Sequence, residues 1–139
     1  MKLSARNQIE ATVTAVSKGA VNAMITLKAP QGTELTAVIT NGSADELGLK
    51  AGESVIAFFK ASHVLIATGA VPNISARNKL PGSVVKIVEG AVNAEIDVKL
   101  AEGDTVVAII TEDAAESLSL KEGSDVVVVI KSTDVMIAK

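Results

Sequence analysis

Residues 8–28, QIEATVTAVSKGAVNAMITLK, decide how this chain folds. Ile9, Ala11, Val13 and Ala15 alternate with Glu10, Thr12 and Thr14. Beyond a turn at Lys18-Gly19, Val21, Ala23, Ile25 and Leu27 alternate with Asn22, Met24, Thr26 and Lys28. A period of two in both arms, with glycine at the joint, predicts a β-hairpin that buries one face and wets the other. Downstream, Pro30-Gln31-Gly32 turns the chain into a third alternating run, with Leu35, Ala37 and Ile39 against Glu34, Thr36 and Thr40. Ser43-Ala44-Asp45-Glu46 has the S-x-x-E form of a capping box and predicts a helix of one or two turns, ended by Gly48 or Gly52. Val55 to Lys60 and His63 to Ala67 supply two more strands.

The hairpin is then met a second time. Ser4-Ala5-Arg6-Asn7 returns as Ser75-Ala76-Arg77-Asn78, and Gly19-Ala20-Val21-Asn22-Ala23 as Gly90-Ala91-Val92-Asn93-Ala94. The offset of 71 residues holds without a gap to the carboxyl end, and 26 of 65 paired positions are identical, so the chain is a tandem duplication. The expected organisation is a first unit over 1–68, a linker over 69–74 and a second unit over 75–139. Strand, strand, strand, short helix, strand, strand is the order of a five-stranded barrel. The expected fold is therefore all-β, two tandem OB-like five-stranded barrels with one short helix between strands 3 and 4 of each. Units this small bury a modest fraction of their surface and have almost no aromatic area, so association is expected to supplement them. The runs Val55 to Phe59 and Val126 to Ile130 are apolar on both faces, which fits strands covered on the second face by a neighbouring domain or chain.

Composition excludes several classes of function. The 139 residues include no cysteine and a single histidine, His63, leaving no thiolate nucleophile, no Cys- or His-rich site for a metal cation and no disulfide framework. No Ser-His-Asp set, paired carboxylates, P-loop or dinucleotide loop is present, so the chain is not read as an enzyme and no catalytic residue is assigned. A net charge of −3 and two phenylalanines as the only aromatics oppose a nucleic-acid role. No apolar run approaches the ~20 residues that cross a bilayer, and the polar Met1 to Glu10 is unlike a signal peptide, so a soluble cytoplasmic protein without membrane contact is expected.

The duplication also shows which charges resisted drift. All four identical charged pairs are basic: Arg6/Arg77, Lys28/Lys99, Lys50/Lys121 and Lys60/Lys131. Acidic positions changed, as in Glu10 against Pro81 and Glu34 against Thr105. Near the retained cations stand small donors, among them Ser4/Ser75, Thr40/Thr111 and Ser62/Thr133. Arginine and lysine with hydroxyls and free amides suit a compact oxyanion, because each is a pure or willing donor. Lys28 and Lys50 read most simply as solvated turn residues, and Ser4 and Thr40 fit ordinary strand or cap positions equally well. His63 aligns with Asp134 and reads as a surface strand residue.

Taken together, S-A-R-N before a strand, G-A-V-N-A, S-A-x-x-L-G-L-x-x-G and a closing K-A-S-x-V resemble the molybdenum-pterin-binding (Mop) domain of bacterial molybdate-binding proteins, here in a tandem, di-Mop arrangement over nearly the whole chain. The resemblance implies an OB-like, TOBE-type domain, threefold assembly as a homotrimer, and a molybdate or tungstate oxyanion as ligand, with no pterin or other cofactor. It implies a role in intracellular molybdenum storage and homeostasis, or alternatively an oxyanion-sensing module acting through a partner protein. By motif match, Ser4, Arg6, Thr40, Ser43, Lys60 and Ala61 would line one class of oxyanion site, with Ser75, Arg77, Thr111, Lys131 and Ser132 as their equivalents. The turns Val21-Asn22-Ala23 and Val92-Asn93-Ala94 would present backbone amides to anions at domain interfaces. The halves differ at Met24 against Glu95, Ser43 against Ala114 and Gly48 against Ser119, with Asp113 and Glu116 as the expected cap of the second helix.

Overall fold

Two five-stranded antiparallel sheets form as the alternation requires. The computed structural model describes all 139 residues. The first half contributes β1 (Asn7–Lys18), β2 (Asn22–Lys28), β3 (Glu34–Thr40), α1 (Asn41–Glu46), β4 (Ser54–Phe59) and β5 (Leu65–Ala67). The second contributes β6 (Asn78–Glu89), β7 (Asn93–Leu100), β8 (Thr105–Thr111), α2 (Glu112–Ser117), β9 (Asp125–Ile130) and β10 (Met136–Ala138). Each long first strand slips register once, between Val13 and Ala15 and between Val84 and Lys86. One extra residue there bends the strand and lets the sheet curl toward a barrel.

The bulge also turns Ala15 out to solvent and leaves Val16 half-buried, so the inward alternation expected to run through Ala15 stops at Val13. Val21, expected on the inner face, sits in the turn and is 71% exposed.

The fifth strands are exchanged. The first sheet runs β10-β4-β1-β2-β3 and the second β5-β9-β6-β7-β8. Met136, Ile137 and Ala138 pair with Phe58, Ala57 and Ile56, while Leu65, Ile66 and Ala67 pair with Val129, Val128 and Val127. Each barrel is thus completed by the other half. The chain crosses over at Lys60 and Lys131, each followed by one turn of 3₁₀ helix, Ala61–His63 and Ser132–Asp134, where a continuous strand from His63 had been expected. His63 Nδ1 lies 3.8 Å from Asp134 Oδ1, so residues equivalent by repeat meet across the crossover.

A single apolar cluster of 27 buried residues draws on both halves. Two buried asparagines fasten the halves further. Asn7 donates from Nδ2 to the Val107 carbonyl at 2.8 Å and accepts from the Val107 N–H at 2.7 Å. Asn78 does the same with Thr36, donating to its carbonyl and accepting from its N–H, both at 2.8 Å. Each carboxamide imitates a peptide group and pairs with an edge strand of the other half. With 3% exposure, neither has water as an alternative partner. Thr33 adds a hydroxyl donation to Asp104 at 2.6 Å.

Both short helices are capped by threonine. Thr40 Oγ1 accepts from the Ser43 N–H and Thr111 Oγ1 from the Ala114 N–H, both at 3.1 Å, so neither Ser43 nor Asp113 is the cap read from the sequence. Thr40 has the extended backbone of an N-cap, φ −70° and ψ 151°, whereas Ser43 is already inside the helix. Gly48 follows the first helix with positive φ; Ser119 takes the same conformation at φ 52° and carries a strain that glycine avoids.

Asn78→Ala is expected to cost about 1–3 kcal/mol in urea unfolding, because it leaves the half-buried N–H and carbonyl of Thr36 on β3 without their partner at once. Lys50→Ala, on an exposed turn, should stay within roughly 0.5 kcal/mol of wild type.

Candidate functional site

The crossovers gather part of the expected set and separate the rest. Ser4, Arg6, Lys60 and Ala61 line one cleft with a volume of 430 Å³, together with Leu3, Ala5, Phe58 and Ser62 of the first half and Ile109 and Met136 of the second. Residues 54 positions apart in sequence meet there because Asn7 pairs with Phe59 at the β1–β4 join, which puts Arg6 and Lys60 just beyond the same end of the sheet. Ser4, Arg6 and Lys60 are exposed and Ala61 is buried. In the second half, Asn78 pairs with Ile130, so Ser75, Arg77, Lys131 and Ser132 stand at the corresponding end; Ser132 is 9% exposed and the others are open to solvent.

Thr40, Ser43 and the turn Val21-Asn22-Ala23 occupy the opposite end of the first barrel. Asn22 pairs with Thr40, and the Asn41 N–H donates to the Val21 carbonyl at 2.9 Å, so turn and helix opening form one corner. Thr40 Oγ1 also donates to Ser43 Oγ at 3.0 Å. β1 alone, with 12 residues, puts about 40 Å between the two ends. The second barrel repeats the corner with Val92-Asn93-Ala94, Thr111 and the Glu112 N–H, which donates to the Val92 carbonyl at 2.8 Å.

What one half separates, the two halves bring closer. Ile109, in the Arg6 cleft, pairs with Glu95 in the β7–β8 ladder, two residues from both Asn93 and Thr111. The Arg6 end of the first half therefore abuts the corner of the second. Leu3, Phe58, Ile109 and Met136 give the cleft an apolar floor, against which Arg6 and Lys60 supply the cationic groups.

Electrostatics distinguishes the two halves. Arg6 Nη1 lies 3.3 Å from Glu95 Oε1, whereas Arg77, Lys60 and Lys131 take part in none of the chain's ion pairs. Asp97, two residues along the same strand face as Glu95, has its pKa raised above the ordinary 3.8. Burial is the largest cause, followed by hydrogen bonding and repulsion from Glu95, with Lys86 and Arg6 pulling the other way. One of its oxygens, Oδ1, is buried with no partner. Neither Glu95 nor Asp97 was singled out as a site residue from the sequence, although the Met24/Glu95 and Thr26/Asp97 mismatches between the repeats carried the signal.

Two copies of the TOBE domain model match the chain, over residues 3–66 and 74–137. The chain belongs to the TOBE domain family. It is 42% identical over 139 residues to the molybdenum-pterin-binding protein MopA of Rhodobacter capsulatus, and 37% identical over 138 residues to the molybdenum transport protein ModE of Azotobacter vinelandii. Each match covers 99% of this chain, with 52% of MopA and 51% of ModE. The chain thus spans about half the length of these curated relatives. Among solved structures it superposes on the cytoplasmic molybdate-binding protein ModG with molybdate bound, with a TM-score of 0.95 and 42% identity over 99% of both chains. Over that whole length the paired TOBE domains of this chain keep one arrangement with ModG.

Asp97 makes stability depend on pH. The folded chain holds this proton more tightly than the unfolded chain, whose aspartate titrates near 3.8, so the ionised group subtracts stability at neutral pH. Asp97→Asn is expected to be more stable than wild type at neutral pH, by a margin that shrinks as pH falls through the folded pKa toward 3.8. Urea unfolding of both chains across that range checks it, and a margin independent of pH would contradict it.

Proposed function

We propose that this chain is a cytoplasmic oxyanion-binding protein that stores and buffers molybdate, and accepts tungstate, without catalysing a reaction on either. The observation that carries the reading is the Arg6 cleft: a guanidinium, an ammonium and a serine hydroxyl converge there from two distant segments, at the end of a fold shared along its full length with a molybdate-bound protein. In this reading Ser4, Arg6, Lys60 and Ala61, and in the second unit Ser75, Arg77, Lys131 and Ser132, hold the oxyanion at the barrel ends. Thr40, Ser43, Thr111 and the turns 21–23 and 92–94 supply hydroxyls and amides from the opposite corner of a neighbouring unit. The units over 1–68 and 75–139, joined by 69–74, are the two binding domains.

The chemistry of selection follows from the donors. Arginine, lysine, hydroxyl and N–H groups satisfy an oxyanion that carries no proton at neutral pH. Molybdate and tungstate meet that condition. Hydrogen phosphate brings a proton that faces donors and loses a hydrogen bond, at roughly 1–3 kcal/mol. Sulfate is unprotonated as well, so it must be rejected by size. The Arg6 cleft opens to solvent, and sequestering a dianion needs cations and closure. A homotrimer, in which three copies cover one another's clefts, provides both and adds the burial that small aromatic-poor barrels lack.

A second reading, an oxyanion-sensing module acting through a partner protein, is favoured by the match to about half the length of the transcriptional regulator ModE of Yersinia pestis. It requires molybdate-dependent association with another protein, which a store does not.

Titration calorimetry with molybdate, tungstate, sulfate and phosphate at matched ionic strength tests the storage reading. Molybdate and tungstate are expected to bind, with phosphate inert and sulfate weak. Lys60→Ala should weaken one class of sites by at least tenfold while Lys50→Ala leaves them unchanged. Light scattering should give about three times the 14.2 kDa chain mass. Phosphate binding as tight as molybdate, or a monodisperse monomer, would contradict it.

A further inference from the structure

The two halves keep the same cations but surround them differently. Arg6 stands 3.3 Å from the Glu95 carboxylate, and Asp97 lies beside Glu95 with one oxygen buried and unpartnered. Lys86 is the other cation of that cluster. At the repeat-equivalent positions Met24 replaces Glu95, Thr26 replaces Asp97 and Ala15 replaces Lys86. Arg77 lines a cavity with Thr26, Thr36, Glu34 and Glu102, and neither of those carboxylates is within ion-pairing distance of it.

We propose that Glu95 is a built-in competitor for Arg6, which divides the oxyanion sites of each chain into a tight class at Arg77 and a loose class at Arg6. This rests on the oxyanion-binding reading above. Glu95 is 20% exposed on a rigid strand, whereas Arg6 is 60% exposed, so the carboxylate stays and the guanidinium must choose. An arriving dianion has to displace Glu95 from Arg6 or bind beside it, and either way meets a like charge held in place by the fold. At Arg77 the guanidinium is unpaired, so the same dianion displaces no carboxylate from it. A carboxylate about 6 Å from a dianion in a partly wetted cleft repels it enough to weaken binding by roughly tenfold, after screening.

The functional consequence is graded release. Arg77 sites fill first and hold their anion as the free concentration falls, while Arg6 sites fill last and empty first. One chain then buffers over two concentration ranges, which an exact duplication could not do. Asp97 tightens the arrangement, since freeing Glu95 from Arg6 leaves two carboxyl groups side by side without their shared cation.

The reciprocal exchange tests it on the full chain, with sodium molybdate as the titrant in calorimetry. Wild type is expected to show two classes of site. Glu95→Met should tighten the loose class about tenfold and merge it with the tight one, and Met24→Glu should weaken the tight class by a similar factor. Arg6→Ala should remove only the loose class. Near-neutral substitution of Glu95 in the melting temperature, with the affinity shift intact, separates competition from a structural role. Loss of affinity in Glu95→Met would overturn the proposal by showing that Glu95 orients Arg6 for the anion. A Met24→Glu chain with unchanged sites would overturn it as well. A wild-type chain that takes up no molybdate at all would instead defeat the storage reading itself.

Discussion

Two buried carboxamides hold the architecture in register. Asn7 and Asn78 each offer a donor and an acceptor in the spacing of a peptide group, and each joins the first strand of one half to an edge strand of the other. An edge strand leaves N–H and carbonyl groups unpaired, which is a liability in an exposed sheet. Here the asparagines satisfy part of that edge, at Thr36 and Val107, with partners that only the opposite half can supply. The exchange of β5 and β10 works in the same direction, because each sheet is five strands wide only when the other half lends its last strand.

This interlock sets the geometry of the candidate site. The segment leading into Asn7 carries Ser4 and Arg6, and the residue at which the chain leaves the barrel is Lys60. Fixing Asn7 against Val107 therefore brings Arg6 and Lys60 to the β7–β8 ladder, with Ile109 in the cleft and Glu95 on the guanidinium. The cation of the cleft and the fastening of the halves share one four-residue motif. Arginine faces solvent and asparagine faces the joint, as neighbouring residues on an extended chain must point to opposite sides.

The sequence made much of this legible, and the reasons for the rest are physical. Alternation gave the strands, their order gave the OB-like fold, and the fixed offset gave the duplication, because each is a local or periodic property of the chain. The retention of S-A-R-N was visible, but its arginine drew the functional reading while its asparagine carries the joint between the halves. A buried amide pairing with a backbone 100 residues away leaves no periodic trace. The strand exchange was equally hidden, since β5 and β10 have nearly equivalent sequences, Leu65-Ile66-Ala67 and Met136-Ile137-Ala138, and either fits either sheet. The caps were misplaced by three residues in the first half because Ser43 and Glu46 imitate a capping box, while Thr40, read as strand, already had the extended backbone a cap needs. Expected site residues at opposite ends of one barrel could be related only once the pairing of the halves was known.

If the amide pairs and exchanged strands bind the halves as described, 1–68 and 75–139 have no separate stability to lose. Differential scanning calorimetry of the full chain measures this directly. The account predicts one transition, moving as a unit in Asn78→Ala. Two resolved transitions, with only one displaced by that substitution, would contradict it.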